Sequence, residues 1–103
     1  RQGKLTEALD FYRHGIDYVE KMSKLNESPQ IKLLRSDSNR KTGAAYVAIA
    51  EKTRNADAIK SAGEFLEKAR KDLQELQLTN ELGKNDEYKL ALIEQLLKRI
   101  LQN

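Results

Sequence analysis

Two apolar rows run along one segment, Lys4 to Lys24. Leu5, Ala8, Leu9, Tyr12, Ile16 and Val19 recur mostly at spacings of three and four, and Phe11, Gly15, Tyr18 and Met22 form a second row beside them. This is the period of an α-helix that stacks apolar side chains on one face. A helix with two such faces has to be covered on two sides. That rules out a lone surface helix and points to helices packed in layers.

The rest of the chain is compatible with that reading. It has one Pro and five Gly in 103 residues, and it is rich in Ala, Leu, Lys, Glu and Gln, which favour helix. Ser28-Pro29 is a start signal, with Ser as N-cap and Pro at the first helical position. A first helix over 4–24 and a second over 29–53 are expected. The middle of the second, Ser36 to Gly43, is poor helix sequence. Ile31, Leu34, Ser38, Thr42, Ala45 and Ile49 nevertheless stay in phase across it, so one continuous helix is expected. Small residues (Ser38, Gly43, Ala44, Ala45, Ala48) would let neighbouring helices approach closely. A third helix over 57–77 follows a cap in Asn55-Ala56-Asp57. It carries Ile59, Ala62, Leu66, Ala69, Leu73 and Leu76, with Phe65 alongside. Gly83 suits a helix end. Asp86 is the expected cap of a fourth helix over 86–102, whose core residues are Leu90, Ile93, Leu97, Ile100 and Leu101. Short connections favour antiparallel neighbours. The expected fold class is all-α, a single domain over 1–103. It is built of antiparallel helical hairpins, stacked as right-handed layers or closed into a four-helix bundle.

Composition excludes several function classes. Hydrophobic residues make up 39% of the chain and charged residues 34%, which allows only a thin core. There is no Cys, hence no disulfide or thiolate metal site. No apolar run approaches the roughly 18 residues of a membrane span, so the cytoplasm is the expected location. No Gly-x-Ser-x-Gly, paired-His, calcium-loop or phosphate-cradling motif occurs, so no enzyme and no cofactor is expected. The one His, His14, has Asp10 and Asp17 within a helical turn. With no second His or Cys the three read as exposed helix charges, and no metal is expected. Between 29 and 54, Lys32, Arg35, Arg40, Lys41, Lys52 and Arg54 face only Asp37 and Glu51. Such an excess suits a solvated face or an acidic partner. Nucleic acid is disfavoured, because Asp37 interrupts the basic run and no aromatics interleave as stacking platforms.

Shifting the chain on itself by 54 residues places Ala8 on Ala62, Phe11 on Phe65, Tyr12 on Leu66, Gly15 on Ala69 and Val19 on Leu73. Each segment has a small residue, a bulky pair and another small residue at the same offsets, a pattern of stacking repeats. Gly3-x-Leu5-x-Glu7-Ala8-Leu9-x-x-Tyr12-x-x-Gly15-Ile16 resembles the second helix of a tetratricopeptide repeat. Gly43 and Tyr46 resemble that family's helix-crossing Gly and the aromatic after it, and Ala62, Leu66 and Ala69 match the second-helix pattern again. The resemblance covers most of residues 3–76. The second helix is longer than the family spacing, and the closing Pro is absent near Met22. The long form is similar to extended repeats of bacterial signalling proteins, including serine/threonine kinases. A second resemblance, to microtubule-interacting-and-trafficking domains, rests on Ala8-Leu9-x-x-Tyr12-x-x-Gly15-Ile16, Arg40-Lys41 and Tyr46-x-x-x-Ala50-Glu51-Lys52. That family binds partner helices with a three-helix bundle.

The tetratricopeptide resemblance implies a non-catalytic scaffold that binds a protein or peptide segment in a helix-lined groove, with no small-molecule substrate. In this chain the reading surface would come mainly from the second helix: Asp37, Arg40, Lys41, Ala44 and Val47. Arg40 and Lys41 would attract the carboxylates of an acidic partner. The resemblance begins on a second helix and no initiator Met precedes it, so the chain is expected to be excised from a longer protein. The row Phe11, Gly15, Tyr18 and Met22 would then lie exposed or be covered by another copy. A homodimer through that row, serving as a structural spacer of a signalling protein, is one alternative function, and a trafficking-type bundle that binds partner helices is the other.

Overall fold

The computed structural model describes residues 2–101. It contains four helices, α1 (Gln2–Leu25), α2 (Pro29–Thr53), α3 (Ala56–Leu78) and α4 (Tyr88–Leu101), with a single 3₁₀ turn at Lys84–Asp86. There is no strand among the described residues. The expected all-α class and its helical hairpins are observed. The expected end of the last helix at 102 lies outside the described residues.

The starts of α2 and α3 follow from local side chains. The Ser28 hydroxyl accepts from Ile31 N–H at 3.2 Å, and Pro29 occupies the first turn. Asn55 caps α3 by accepting from Asp57 N–H at 2.7 Å. The ends differ from expectation. Helix α3 stops at Asn80, which has φ of 59° and lets Glu81 N–H reach back to Leu76 C=O at 2.8 Å. Asn is one of the few residues that tolerates this left-handed position, so Gly83 is not the helix stop. Asp86 does not cap α4. It ends the 3₁₀ turn, and its carboxylate takes Lys89 Nζ at 2.9 Å.

Side-chain pairs give the directions of packing. Lys32–Glu75, Arg35–Asp72 and Ser36–Ala69 make α2 and α3 antiparallel. Ser23–Arg35 and Arg13–Tyr46 do the same for α1 and α2. Asp37–Lys89 and Glu51–Arg99 set α4 parallel to α2. Helix α2 packs against all three others, most extensively against α3, and α4 packs across α3 and α2. Among the described residues α1 and α4 share no packed interface, so the four helices do not close into a ring.

The core lies between α2, α3 and α4. Val47, Ala62, Leu66, Ala69, Leu73 and Ile93 have no exposed surface, and Leu33, Tyr46, Leu90 and Leu97 pack around them. The polar middle of α2 stays helical with its buried hydroxyls satisfied. The Ser36 hydroxyl donates to Ala69 C=O at 2.9 Å, and the Thr42 hydroxyl donates to Ser38 C=O at 2.8 Å. Gly43 allows the closest approach. A Cβ there would sit 2.7 Å from Leu66 Cγ. The repeat positions are buried unequally. Ala62, Leu66, Ala69 and Leu73 are covered by α2 and α4, whereas of their α1 counterparts only Val19 is buried. Two expected core residues are not in it: Leu34 is 48% exposed and Leu101 84%.

Candidate functional site

The five residues expected to read a partner fall into three environments. Val47 is fully buried in the core. This corrects its assignment to the surface: α2 is covered on most of its circumference, and Val47 lies on the covered side. Asp37 ties α2 to α4, and Arg40 lies against Asp37 on the same helix. Both Asp37 carboxylate oxygens accept from Lys89 Nζ, at 3.0 and 3.1 Å, and Arg40 Nη2 lies 3.4 Å from Asp37 Oδ1. Arg40 Nε is shielded from solvent and finds no acceptor among the described residues. Lys41 is exposed, Ala44 is half-buried, and among the described residues Lys41 has no carboxylate partner.

Because α1 and α4 stand apart, a strip of α2 stays open between them. Leu34 and Lys41, seven residues apart and so on one face, are exposed along it, with Asp37 and Ala44 beside them. Lys41 also borders a shallow groove against α1, lined by Ser38, Gly15, Phe11 and Tyr18. Of the second apolar row of α1, Phe11 is 75% and Tyr18 64% exposed, while Gly15 and Met22 are half-buried. A second concavity lies between α3 and α4, floored by Ile59, Gly63, Leu97 and Ile100.

Most of the basic excess of α2 serves packing. Arg35 donates through Nε and Nη2 to both Asp72 oxygens at 2.8 Å, and through Nη1 to Ser23 Oγ at 2.9 Å and Glu27 Oε1 at 2.5 Å. One guanidinium thus joins three helices. The hydrogen bonds to Asp72 hold it charged well above the ordinary arginine range against the opposing effect of burial. Hydrogen bonds from Ser23 and then Arg35 hold the Glu27 carboxyl below its usual value. Burial works against the Lys89 ammonium, but its hydrogen bonds to Asp86 and Asp37 and their charges outweigh it, so it titrates above an ordinary lysine. His14 is exposed on α1, with Nδ1 at 2.7 Å from Asp10 C=O.

Sequence reasoning missed Leu34 as a surface residue and Arg35 as a brace. Leu34 is in phase with the apolar row of α2, and nothing local marks the side that stays open. The Arg35–Asp72 pair spans 37 positions, which leaves no periodic signal. No helix among the described residues is long and apolar enough to cross a membrane. No family model, no curated protein and no solved structure matches this chain.

Proposed function

We propose that this chain is a non-catalytic protein-interaction module of tetratricopeptide type that holds an acidic partner segment along the open strip of α2. The observation that carries this reading is Lys41. It is a solvent-exposed cation with no carboxylate partner among the described residues, on the helix that contacts all three others. A partner carboxylate would meet Lys41, and an apolar side chain one or two turns away would cover Leu34. Asp37, bonded to Lys89 on α4, and Arg40, bonded to Asp37, form the rim. No reacting group is assigned.

The test is capture on the immobilised chain, comparing wild type with Lys41→Glu and Leu34→Ser. Both substitutions lie on exposed side chains, so thermal stability should stay within about 0.5 kcal/mol. A partner retained by wild type and lost by both variants supports the reading, and its bound segment should be acidic. Equal capture by all three would overturn it.

A second reading, a self-associating structural spacer in a signalling protein, is favoured by one observation. Phe11 and Tyr18 are large, exposed and on the same face of α1.

A further inference from the structure

The exposed face of α1 is ordered in a way that selects a particular occupant. Glu7, Phe11, His14, Tyr18, Lys21 and Leu25 are all exposed and follow one another at alternating spacings of four and three. They therefore form one continuous seam along the helix. Among the described residues no other helix covers it, and only its edge at Phe11, His14 and Tyr18 borders the groove against α2. Helix α1 packs on α2, and α4 lies elsewhere. Phe11, Tyr18 and Leu25 are 75%, 64% and 88% exposed, a concentration of apolar surface on one helix that marks an interaction site.

The charges on this seam are arranged symmetrically about its middle. Glu7 and Lys21 each lie seven residues from His14, on opposite sides and with opposite sign. Phe11 and Tyr18 lie three and four residues from it. A second α1 laid antiparallel across the first, with His14 near the crossing, therefore meets its own complement. Glu7 faces the partner subunit's Lys21, and Phe11 faces the partner subunit's Tyr18. The two-fold axis repeats both contacts. A parallel pair would set Glu7 on the partner subunit's Glu7 and Lys21 on the partner subunit's Lys21, two like-charge contacts that oppose association. The self-complementary pattern belongs to an isologous interface, in which the same patch serves both copies.

We propose that two copies of this chain pair through α1, antiparallel about an axis near His14, with Phe11 against the partner subunit's Tyr18 and Glu7 against the partner subunit's Lys21. This rests on the self-association reading above and not on capture of an acidic segment. It leaves Leu34 outside the seam. One helix from each copy buries less than the roughly 1,600 Å² of a standard interface, so the pair dissociates on dilution.

Sedimentation equilibrium over a wide concentration range tests this with the full chain and four variants. Wild type should follow a monomer–dimer equilibrium. Phe11→Ser should abolish the dimer with an unchanged melting temperature, because that side chain is mostly in solvent. Glu7→Lys alone, or Lys21→Glu alone, should weaken dimerisation roughly tenfold, each replacing two attractive pairs by two repulsive ones. The double variant Glu7→Lys/Lys21→Glu should return to near wild type. An equimolar mixture of the two single variants should form a heterodimer more stable than either homodimer. A chain that stays monomeric at every concentration overturns both the pairing and the self-association reading. A dimer that survives Phe11→Ser, or that ignores the charge changes, overturns the α1 pairing and leaves self-association through another face.

Discussion

Gly43 and Gly15 both lie inside helices, and their neighbours give them opposite roles. A Cβ on Gly43 would come within 2.7 and 2.8 Å of Leu66 Cγ and Cδ2, and Leu66 is fully enclosed and cannot swing away. A Cβ on Gly15 would meet only Ser38 Oγ, at 3.9 Å, an ordinary contact. Alanine improves helix propensity at either site by about 1 kcal/mol. At Gly43 overpacking costs about 1–3 kcal/mol, and with two contacts under 3 Å on an enclosed side chain it outweighs that gain. Gly43→Ala should therefore lower the melting temperature, and Gly15→Ala should raise it by roughly 4–8 °C per kcal/mol for a chain of this size. Equal shifts in the two variants would mean that α2 and α3 are not in close contact at Gly43. That contact is partly legible in the sequence: Gly43 resembles a helix-crossing glycine, but nothing in the sequence names Leu66 as the side chain it accommodates.

At the scale of the element, α2 explains both what the sequence disclosed and what it concealed. An amphipathic helix advertises its buried side by period. The rows of α1 and α3 were readable for that reason, down to Val19, Leu66 and Leu73. Helix α2 is covered by α1, α3 and α4 around most of its girth, so its buried residues (Ile31, Asn39, Thr42, Val47) fall on several faces and give no single stripe. The sequence alone reads Val47 as outward and Leu34 as core, because the open strip depends on where α1 and α4 lie. The brace at Arg35 is also a property of the assembled helices. Removing its main partner with Asp72→Ala leaves a largely shielded guanidinium with only Glu27 and Ser23 as acceptors. Losing one member of a buried pair costs about 3–5 kcal/mol, and the remaining acceptors hold this case to about 2–3 kcal/mol by the same reasoning. Chemical denaturation should show that loss with little change in slope. A loss below 0.5 kcal/mol, the range of ordinary surface changes, would demote the pair to a surface contact.

Across the whole molecule, stability is distributed unevenly. The core joins α2, α3 and α4, while α1 contributes, among the described residues, one buried apolar residue, Val19, and is held by Ser23, and by Glu27 just beyond its end, on Arg35. A layer with so few buried apolar side chains is the first to open. The sign of its pH dependence follows from Glu27. Its folded carboxyl titrates below the usual 4.5 because Ser23 and Arg35 hydrogen-bond the charged form. The stability it contributes is therefore fully present above that value, and it is lost as pH falls through the depressed folded one. Glu51, held down by its hydrogen bonds from Arg99, acts in the same direction on the α2–α4 side. Lys89, whose folded value is raised, contributes below the ordinary lysine range and loses its effect only in strong alkali. Between these limits the fold should be insensitive to pH. Below about pH 4.5, hydrogen exchange followed by mass spectrometry should show α1 peptides losing protection before those of α3. In Glu27→Gln, α1 should already be less protected at neutral pH and should change less on acidification. If α1 and α3 instead lose protection together at every pH, α1 belongs to the same cooperative unit as the core, and the brace at Arg35 is stronger than its exposed partner Glu27 suggests.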